Sequence, residues 1–167
     1  MKEKTKKIAF LGIATSVALI LAYIEAILPP IWTAVPGIKV GLPNLIIILV
    51  LYRFGFNYAA LVSGVRLIIV SILFGNAMTL AYSVAGAVLS LAIMGILKKT
   101  DKFSTVGVSI AGAVSHNLGQ IIVAIFLFDT VQIGYYMVVL AITGTIAGVF
   151  IGIGSSLLLK RISLIKI

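Results

Sequence analysis

The sequence predicts an all-α, polytopic membrane protein with six transmembrane helices and with both termini in the cytoplasm. Of the 167 residues, 62% are hydrophobic and only 10% are charged, whereas a soluble domain carries about 25% charged residues. The mean hydropathy is +1.27. One crossing needs about 20 residues, so we expect about six crossings and no separate soluble catalytic or ATP-hydrolysing domain.

The apolar segments indicate a single transmembrane domain over residues 1–167. A basic leader precedes the first segment and no small-residue cleavage site follows it, which predicts a retained helix and not a removed signal peptide. Pro29 and Pro30 end this segment, and Pro43 begins the second, because proline suits the first helical turn. The predicted helices cover residues 8–28, 43–54, 57–74, 77–97, 103–128 and 132–159.

The second segment is short for a membrane crossing. A helix over residues 43–54 would span only about 18 Å, whereas the hydrocarbon core is about 30 Å thick. One interpretation is that this helix starts below the outer surface, or that residues 29–40 dip in beside it, where irregular backbone is tolerated if it lines a cavity. The other is a helix that begins earlier, near Gly37. The sequence leaves both open.

The basic residues predict the orientation. The chain has 13 Lys and Arg against 4 Asp and Glu, an excess that would suggest a nucleic-acid partner in a soluble protein. Here the basic residues lie at segment ends, so we expect no nucleic-acid partner. With a cytoplasmic N-terminus, eleven of them fall on the inner side, Lys39 falls outside and Arg66 falls within the third segment, as the positive-inside rule requires.

Strongly polar residues within the crossings lie almost all in the predicted outer half, among them His116. Intramembrane polar groups are costly and usually functional. The shared position of these residues in the outer half therefore indicates a water-filled pocket that opens to the outside. We predict that the pocket binds a small-molecule substrate. The candidate substrate-binding residues are Glu25, Lys39, Asn44, Arg66, Asn117 and Gln120.

The same residues also have structural explanations. Glu25 and Arg66 could neutralise each other as an ion pair. Asn117 and Gln120 share a helix face, from which they could bridge neighbouring helices. Lys39 could be an anchor at the membrane interface. These alternatives stay open at the level of the sequence.

Arg66 favours an anionic ligand. A guanidinium keeps its proton in a protein, and near the bilayer centre it costs roughly 2.5–3.5 kcal/mol on insertion scales. Glu25 is the only acidic residue within a predicted crossing, so it is the expected partner in the empty state. An acidic group of a ligand could compete with it, so we expect a substrate with an acidic end and an apolar or ring body.

Small residues form two ridges, each with a spacing of four, which allows close helix–helix approach. For the ridge on helix 6 we predict packing within the chain. For the ridge on helix 1 we predict an interface with a partner subunit, and internal packing is the alternative. The ridges are Ala14, Ala18 and Ala22 on helix 1, and Gly144, Gly148 and Gly152 on helix 6.

No catalytic residue, metal site or cofactor is predicted. The chain has no G-x-x-x-x-G-K-[ST] motif for nucleotide phosphates. Its four acidic residues are widely scattered, so no carboxylate pair is expected to hold Mg²⁺ with a diphosphate. A single His and no Cys offer no set of metal ligands. We therefore expect a protein that is not an enzyme.

Two motifs resemble a family of small bacterial membrane proteins named heptaprenyl diphosphate synthase component I or Gx transporters. The motifs are Gly37-Ile38-Lys39-Val40-Gly41-Leu42-Pro43-Asn44 and Ser115-His116-Asn117-Leu118-Gly119-Gln120. The resemblance covers the whole chain and implies a multi-pass protein of the bacterial plasma membrane, surrounded by membrane lipid. The plan is also similar to the substrate-binding S-components of energy-coupling-factor (ECF) transporters. That similarity implies a transmembrane coupling subunit with ATPase subunits, docked on the alanine ridge of helix 1.

Two functions follow from these resemblances. The main expectation is an S-component-like transport protein that binds a small, vitamin-, quinone- or isoprenoid-related molecule from the outer face. The alternative is a non-catalytic membrane accessory subunit of a heptaprenyl diphosphate synthase or of an isoprenoid or quinone pathway. Prenyl-chain synthases bind Mg²⁺-diphosphate with aspartate clusters, which this chain lacks. A purely structural subunit would leave the polar residues as packing contacts.

Overall fold

A computed structural model of the chain is a bundle of six α-helices, and it describes residues 2–27, 41–74, 77–129 and 131–163. Over these ranges there is no strand, so the all-α, six-helix prediction is confirmed. The helices are α1 (Lys2–Ile27), α2 (Asn44–Phe54), α3 (Phe56–Phe74), α4 (Ala77–Lys99), α5 (Thr105–Phe128) and α6 (Tyr136–Ile162), with a 3₁₀ turn at Val131–Tyr135.

Within the described ranges, five helices are long and apolar enough to cross a membrane, and α2 is shorter, with 11 residues. Their outward faces carry many large apolar side chains, such as Ile72, Phe126 and Phe150. Soluble monomers rarely expose apolar patches this extensive. The surface is therefore typical of a multi-pass membrane protein.

Three helix ends extend into charged residues beyond the apolar segments predicted from the sequence. α1 starts at Lys2 and not at residue 8, α4 continues to Lys99, and α6 continues to Ile162. The added residues include lysines, a glutamate and an arginine, which are good helix formers. Hydropathy marks only the part of a helix that suits lipid, so the polar ends of these helices are missed.

α2 lies at the centre of the bundle. The other helices pack side by side in the order α1, α3, α4, α5, α6, and α2 packs against α1, α3 and α6. Six consecutive residues of α2, 46–51, are buried. A helix that is buried on every side must be apolar all round, and the sequence IIILVL meets that requirement.

Both ends of α2 are held by specific contacts. Gly41 has a φ of +77°, a left-handed conformation that favours glycine, and its carbonyl accepts a hydrogen bond from Asn44 N at 2.8 Å. At the other end, Lys98 Nζ donates to the Leu51 carbonyl at 2.6 Å. α2 therefore begins at Asn44 and not near Gly37. Residues 28–40 lie outside the described ranges.

Basic side chains collect at one end of the bundle, which we call the basic end (Lys7, Arg53 and Lys98). Lys7 Nζ lies 3.7 Å from the ring centre of Tyr58, and Lys98 Nζ lies 5.3 Å from that of Tyr52. The start of α1, the end of α2, the start of α3 and the end of α4 therefore meet there. The positive-inside rule assigns this end to the cytoplasm, and the orientation stays a prediction.

The alanine ridge of α1 lies inside the bundle. Ala14, Ala18 and Ala22 are only 5%, 0% and 7% exposed, and α1 packs there against α2 and α3. The prediction of a partner interface on these residues is therefore corrected to internal packing. Small side chains allow the three helices to approach closely, and a partner cannot reach these alanines in this arrangement.

The glycine ridge of α6 packs against α5, as predicted. A Cβ atom on Gly148 would lie 2.7 Å from Ile110 Cα, and one on Gly152 would lie 2.7 Å from Val106 Cα. Both neighbours are backbone atoms, so they cannot move aside as a flexible side chain would. The glycines are what lets the backbones of α5 and α6 touch.

We expect Gly148→Ala to lower the free energy of unfolding by roughly 1–3 kcal/mol, because the added methyl group overpacks a backbone contact. Thermal unfolding of the purified protein in detergent measures this change. Gly64→Ala is the matched control, since a Cβ at Gly64 meets nothing within 4 Å and alanine favours a helix. Equal melting temperatures for the two variants would contradict the close α5–α6 contact.

Candidate functional site

A polar cavity of about 90 Å³ lies at the N-terminal end of α2, and we call it the Arg66 cavity. Its lining includes side chains or backbone from all six helices. α2 spans about 16 Å at 1.5 Å per residue, whereas the helices around it have 19 to 27 residues. The cavity occupies the space beyond the first turn of α2, on the side away from the basic end.

Five of the six predicted binding residues line this one cavity, and they come from four helices. They are Glu25, Asn44, Arg66, Asn117 and Gln120. The sixth, Lys39, lies outside the described ranges. His116 and Ser83 also line the cavity; Ser83 was not predicted, because a single serine in an apolar helix carries little signal. That these residues bind a substrate stays a prediction.

Arg66 is the most constrained charged side chain in this cavity. It is only 9% exposed, and its Nε has no hydrogen-bond partner in the described part of the chain. Buried side-chain donors are normally hydrogen-bonded, and a guanidinium stays charged. Arg66 Nε can therefore donate to whatever occupies the cavity.

Glu25 places a negative charge near Arg66. One carboxylate oxygen, Oε1, accepts a hydrogen bond from Gly41 N, and the carboxylate also attracts the Arg66 guanidinium. The hydrogen bond joins the last turn of α1 to the turn that begins α2. Glu25 is thus both a counter-charge for Arg66 and a structural link between two helices.

Asn117 and His116 are held by their contacts with neighbouring helices. Asn117 Nδ2 donates to the Leu140 carbonyl at 2.8 Å, which is the bridging contact between helices that the sequence left open. Gly144 makes room for this amide, since a Cβ there would lie 2.7 Å from Nδ2. His116 lies against α4, where a Cβ at Gly86 would come within 2.8 Å of its ring.

The cavity is suited to an anionic or strongly polar group. Arg66 supplies a positive charge with a free donor at Nε, and Gln120 supplies a further amide in the lining. The N-terminal end of α2 also faces the cavity through Asn44, and helix N-termini favour anions. Glu25 limits this preference, because an entering anion must compete with its carboxylate.

We expect Arg66→Gln to lower the free energy of unfolding by about 2 kcal/mol, less than the roughly 3–5 kcal/mol lost on breaking a fully buried pair. The reason is that Glu25 would keep its charge without its positive neighbour. Adding Glu25→Gln should restore part of the loss. Thermal unfolding of both single variants and the double variant measures these effects.

The double variant also separates structure from binding. If Arg66 holds an anionic ligand, the double variant is stable but loses any molecule that co-purifies with the wild type. A double variant that is stable and retains that molecule as the wild type does would refute an anion-binding role for Arg66.

Comparison with protein families agrees with the two sequence motifs. A family described as heptaprenyl diphosphate synthase component I matches residues 14–158, a range that contains both motifs and every lining residue of the Arg66 cavity. Comparison with curated proteins and with solved structures found no match, so the similarity to ECF S-components stays an expectation. Because the match covers most of its length, the chain belongs to the heptaprenyl diphosphate synthase component I family.

Proposed function

We propose that this chain is the non-catalytic membrane component of a heptaprenyl diphosphate synthase and that it binds a small anionic molecule in the Arg66 cavity. The family description supports the first part. The second part rests on one observation: five residues that the sequence predicts as ligand contacts line a single cavity. The proposed location is the bacterial plasma membrane.

The inventory of acidic residues supports a non-catalytic role. Binding of a diphosphate with Mg²⁺ uses oxygen ligands, mainly carboxylates. The chain has four acidic residues, and of these Glu25 is found in the described lining of the cavity. Chain elongation would therefore belong to a partner subunit, while this chain would bind the ligand at the membrane.

The size of the cavity favours an amphiphilic ligand. Sites for whole small molecules usually measure about 300–1,000 Å³, whereas the Arg66 cavity measures about 90 Å³. A space of that size suits a polar head group, and the apolar remainder of the ligand would lie among the apolar helices. An isoprenoid-related molecule with an anionic head has this shape.

A second candidate function is uptake of the ligand from the outer face. The observation that favours it is the position of the Arg66 cavity, away from the basic end of the bundle. Uptake would need a coupling subunit and ATPase subunits, because the chain has no nucleotide-binding motif. Such a partner would dock on a surface other than the buried alanine ridge.

The test is native mass spectrometry of the chain purified from membranes in mild detergent. We expect a bound molecule with an anionic head and an isoprenoid tail, together with a co-purifying prenyl synthase subunit. Gln120→Ala and Arg66→Ala should each reduce the amount of bound molecule, because both residues line the cavity. Arg53→Ala is the matched control, since Arg53 lies at the basic end.

Three results would count against the proposal. The absence of any bound molecule would contradict ligand binding. If Arg66→Ala retains as much of the bound molecule as Arg53→Ala does, the ligand binds outside the Arg66 cavity. A bound water-soluble molecule without a prenyl synthase partner would favour uptake over the synthase role.

A further inference from the structure

A second, smaller cavity of about 10 Å³ lies deeper in the bundle, and we call it the Ser109 cavity. It lies between α2, α4, α5 and α6, and its lining includes Ser90, Met94 and Ser109. It shares Asn44 and Ala113 with the Arg66 cavity. The two cavities are therefore neighbours.

Ser109 differs from the other buried serines of α5 and α6. Serine in a helix usually donates to the carbonyl four residues earlier, as Ser115 Oγ does to Ala111 O at 2.6 Å and Ser155 Oγ does to Ile151 O at 2.8 Å. Ser109 is 2% exposed, and its Oγ has no partner in the part of the chain that the structure describes. A buried hydroxyl without a partner loses its hydrogen bond to water without replacement.

The unpartnered atoms and the cavities coincide. Across the described ranges, the buried side-chain atoms without a hydrogen-bond partner are Arg66 Nε and Ser109 Oγ. Arg66 lines the larger cavity and Ser109 lines the smaller one. Each unsatisfied group thus adjoins a space that could hold its partner.

We propose that the Ser109 cavity is a binding site for a single hydrogen-bonding oxygen atom. The oxygen is that of a water molecule, or of a hydroxyl or carbonyl group on the ligand. A cavity needs about 10–15 Å³ to hold one water, so this space holds one oxygen and no more. Ser109, Ser90 and Asn44 supply polar side chains in its lining, and a buried water needs two to four polar partners.

The site gives Asn44 a second role. Because Asn44 lines both cavities, it connects the oxygen at Ser109 with the group bound near Arg66. A polar path then runs from the Arg66 cavity past the first residue of α2 to the Ser109 cavity. Only the version in which a ligand supplies the oxygen rests on the proposed function; the water version stands without it.

Met94 provides a direct readout. It lines the Ser109 cavity and is only 2% exposed, so bulk solvent does not reach its sulfur. Brief X-ray irradiation in aerated ¹⁸O-labelled water generates hydroxyl radicals from bound water. Such a radical adds to the sulfur of a neighbouring methionine, and dissolved O₂ removes the remaining electron and proton, which leaves the ¹⁸O in the sulfoxide. We expect ¹⁸O incorporation at Met94 in the wild type, measured by mass spectrometry of peptides.

Ser109→Val tests the site. Valine removes the hydroxyl and fills the space of about 10 Å³ with methyl groups, so a water molecule no longer fits, and labelling of Met94 should be lost. Labelling of Met78, which is exposed on the same helix, should not change. Ser155→Ala is the control variant, because the Ser155 hydroxyl donates to a carbonyl of its own helix. Met94 should still be labelled in this variant. If Ser109→Val does not fold, Ser109→Ala replaces it. Alanine removes one of the hydrogen-bond partners of the oxygen without filling the space, so labelling of Met94 should fall less than in Ser109→Val.

The outcomes separate the two sources of oxygen. Labelling of Met94 in protein without a co-purified molecule identifies water. Protection of Met94 in protein with a co-purified molecule, together with less bound molecule in Ser109→Val, identifies a ligand oxygen. An unlabelled Met94 in both preparations, with a Ser109→Val variant at least as stable as the wild type, would show a dry void and overturn the proposal.

Discussion

The length of α2 is the constraint on which the rest of the structure depends. Its 11 residues span about 16 Å, so it fills only part of the length of the bundle. Its apolar side chains form the core towards the basic end, and polar side chains of the surrounding helices meet beyond Asn44. Polar groups are tolerated within a membrane protein where they face one another or water and not lipid.

Arg66 and the start of α2 are linked through Glu25. The carboxylate attracts the guanidinium and also accepts a hydrogen bond from Gly41 N, in the turn that leads into α2. A ligand that competes for Arg66 would therefore change the balance of charge at the same residue that joins α1 to α2. Occupancy of the cavity would therefore also affect the turn at Gly41 that begins α2.

Much of this arrangement could be predicted because helix rise is constant. In an apolar segment, the position of a polar residue gives its depth, so Glu25, Asn44, Arg66, Asn117 and Gln120 could be grouped from the sequence. The alanine ridge could not be assigned to packing within the chain or to a partner interface, because small residues with a spacing of four occur in both kinds of contact. Ser109 could not be identified from the sequence either, because the hydroxyl of a serine in a helix usually donates to a backbone carbonyl of the same helix.

We infer that the polar cavity beyond the short α2 is accessible to water and opens away from the basic end, on the side that the positive-inside rule assigns to the outside. The chain has no cysteine, so single cysteines at Gln120, in the cavity lining, and at Leu118, on the exposed apolar face of α5, report on it cleanly. The measurement is the rate of labelling by a membrane-impermeant maleimide, which needs a hydrated thiolate, in washed vesicles of both orientations. We expect Gln120→Cys to react in right-side-out vesicles and Leu118→Cys not to react. Reaction of Gln120→Cys only in inside-out vesicles, or as slowly as Leu118→Cys, would contradict this position of the cavity.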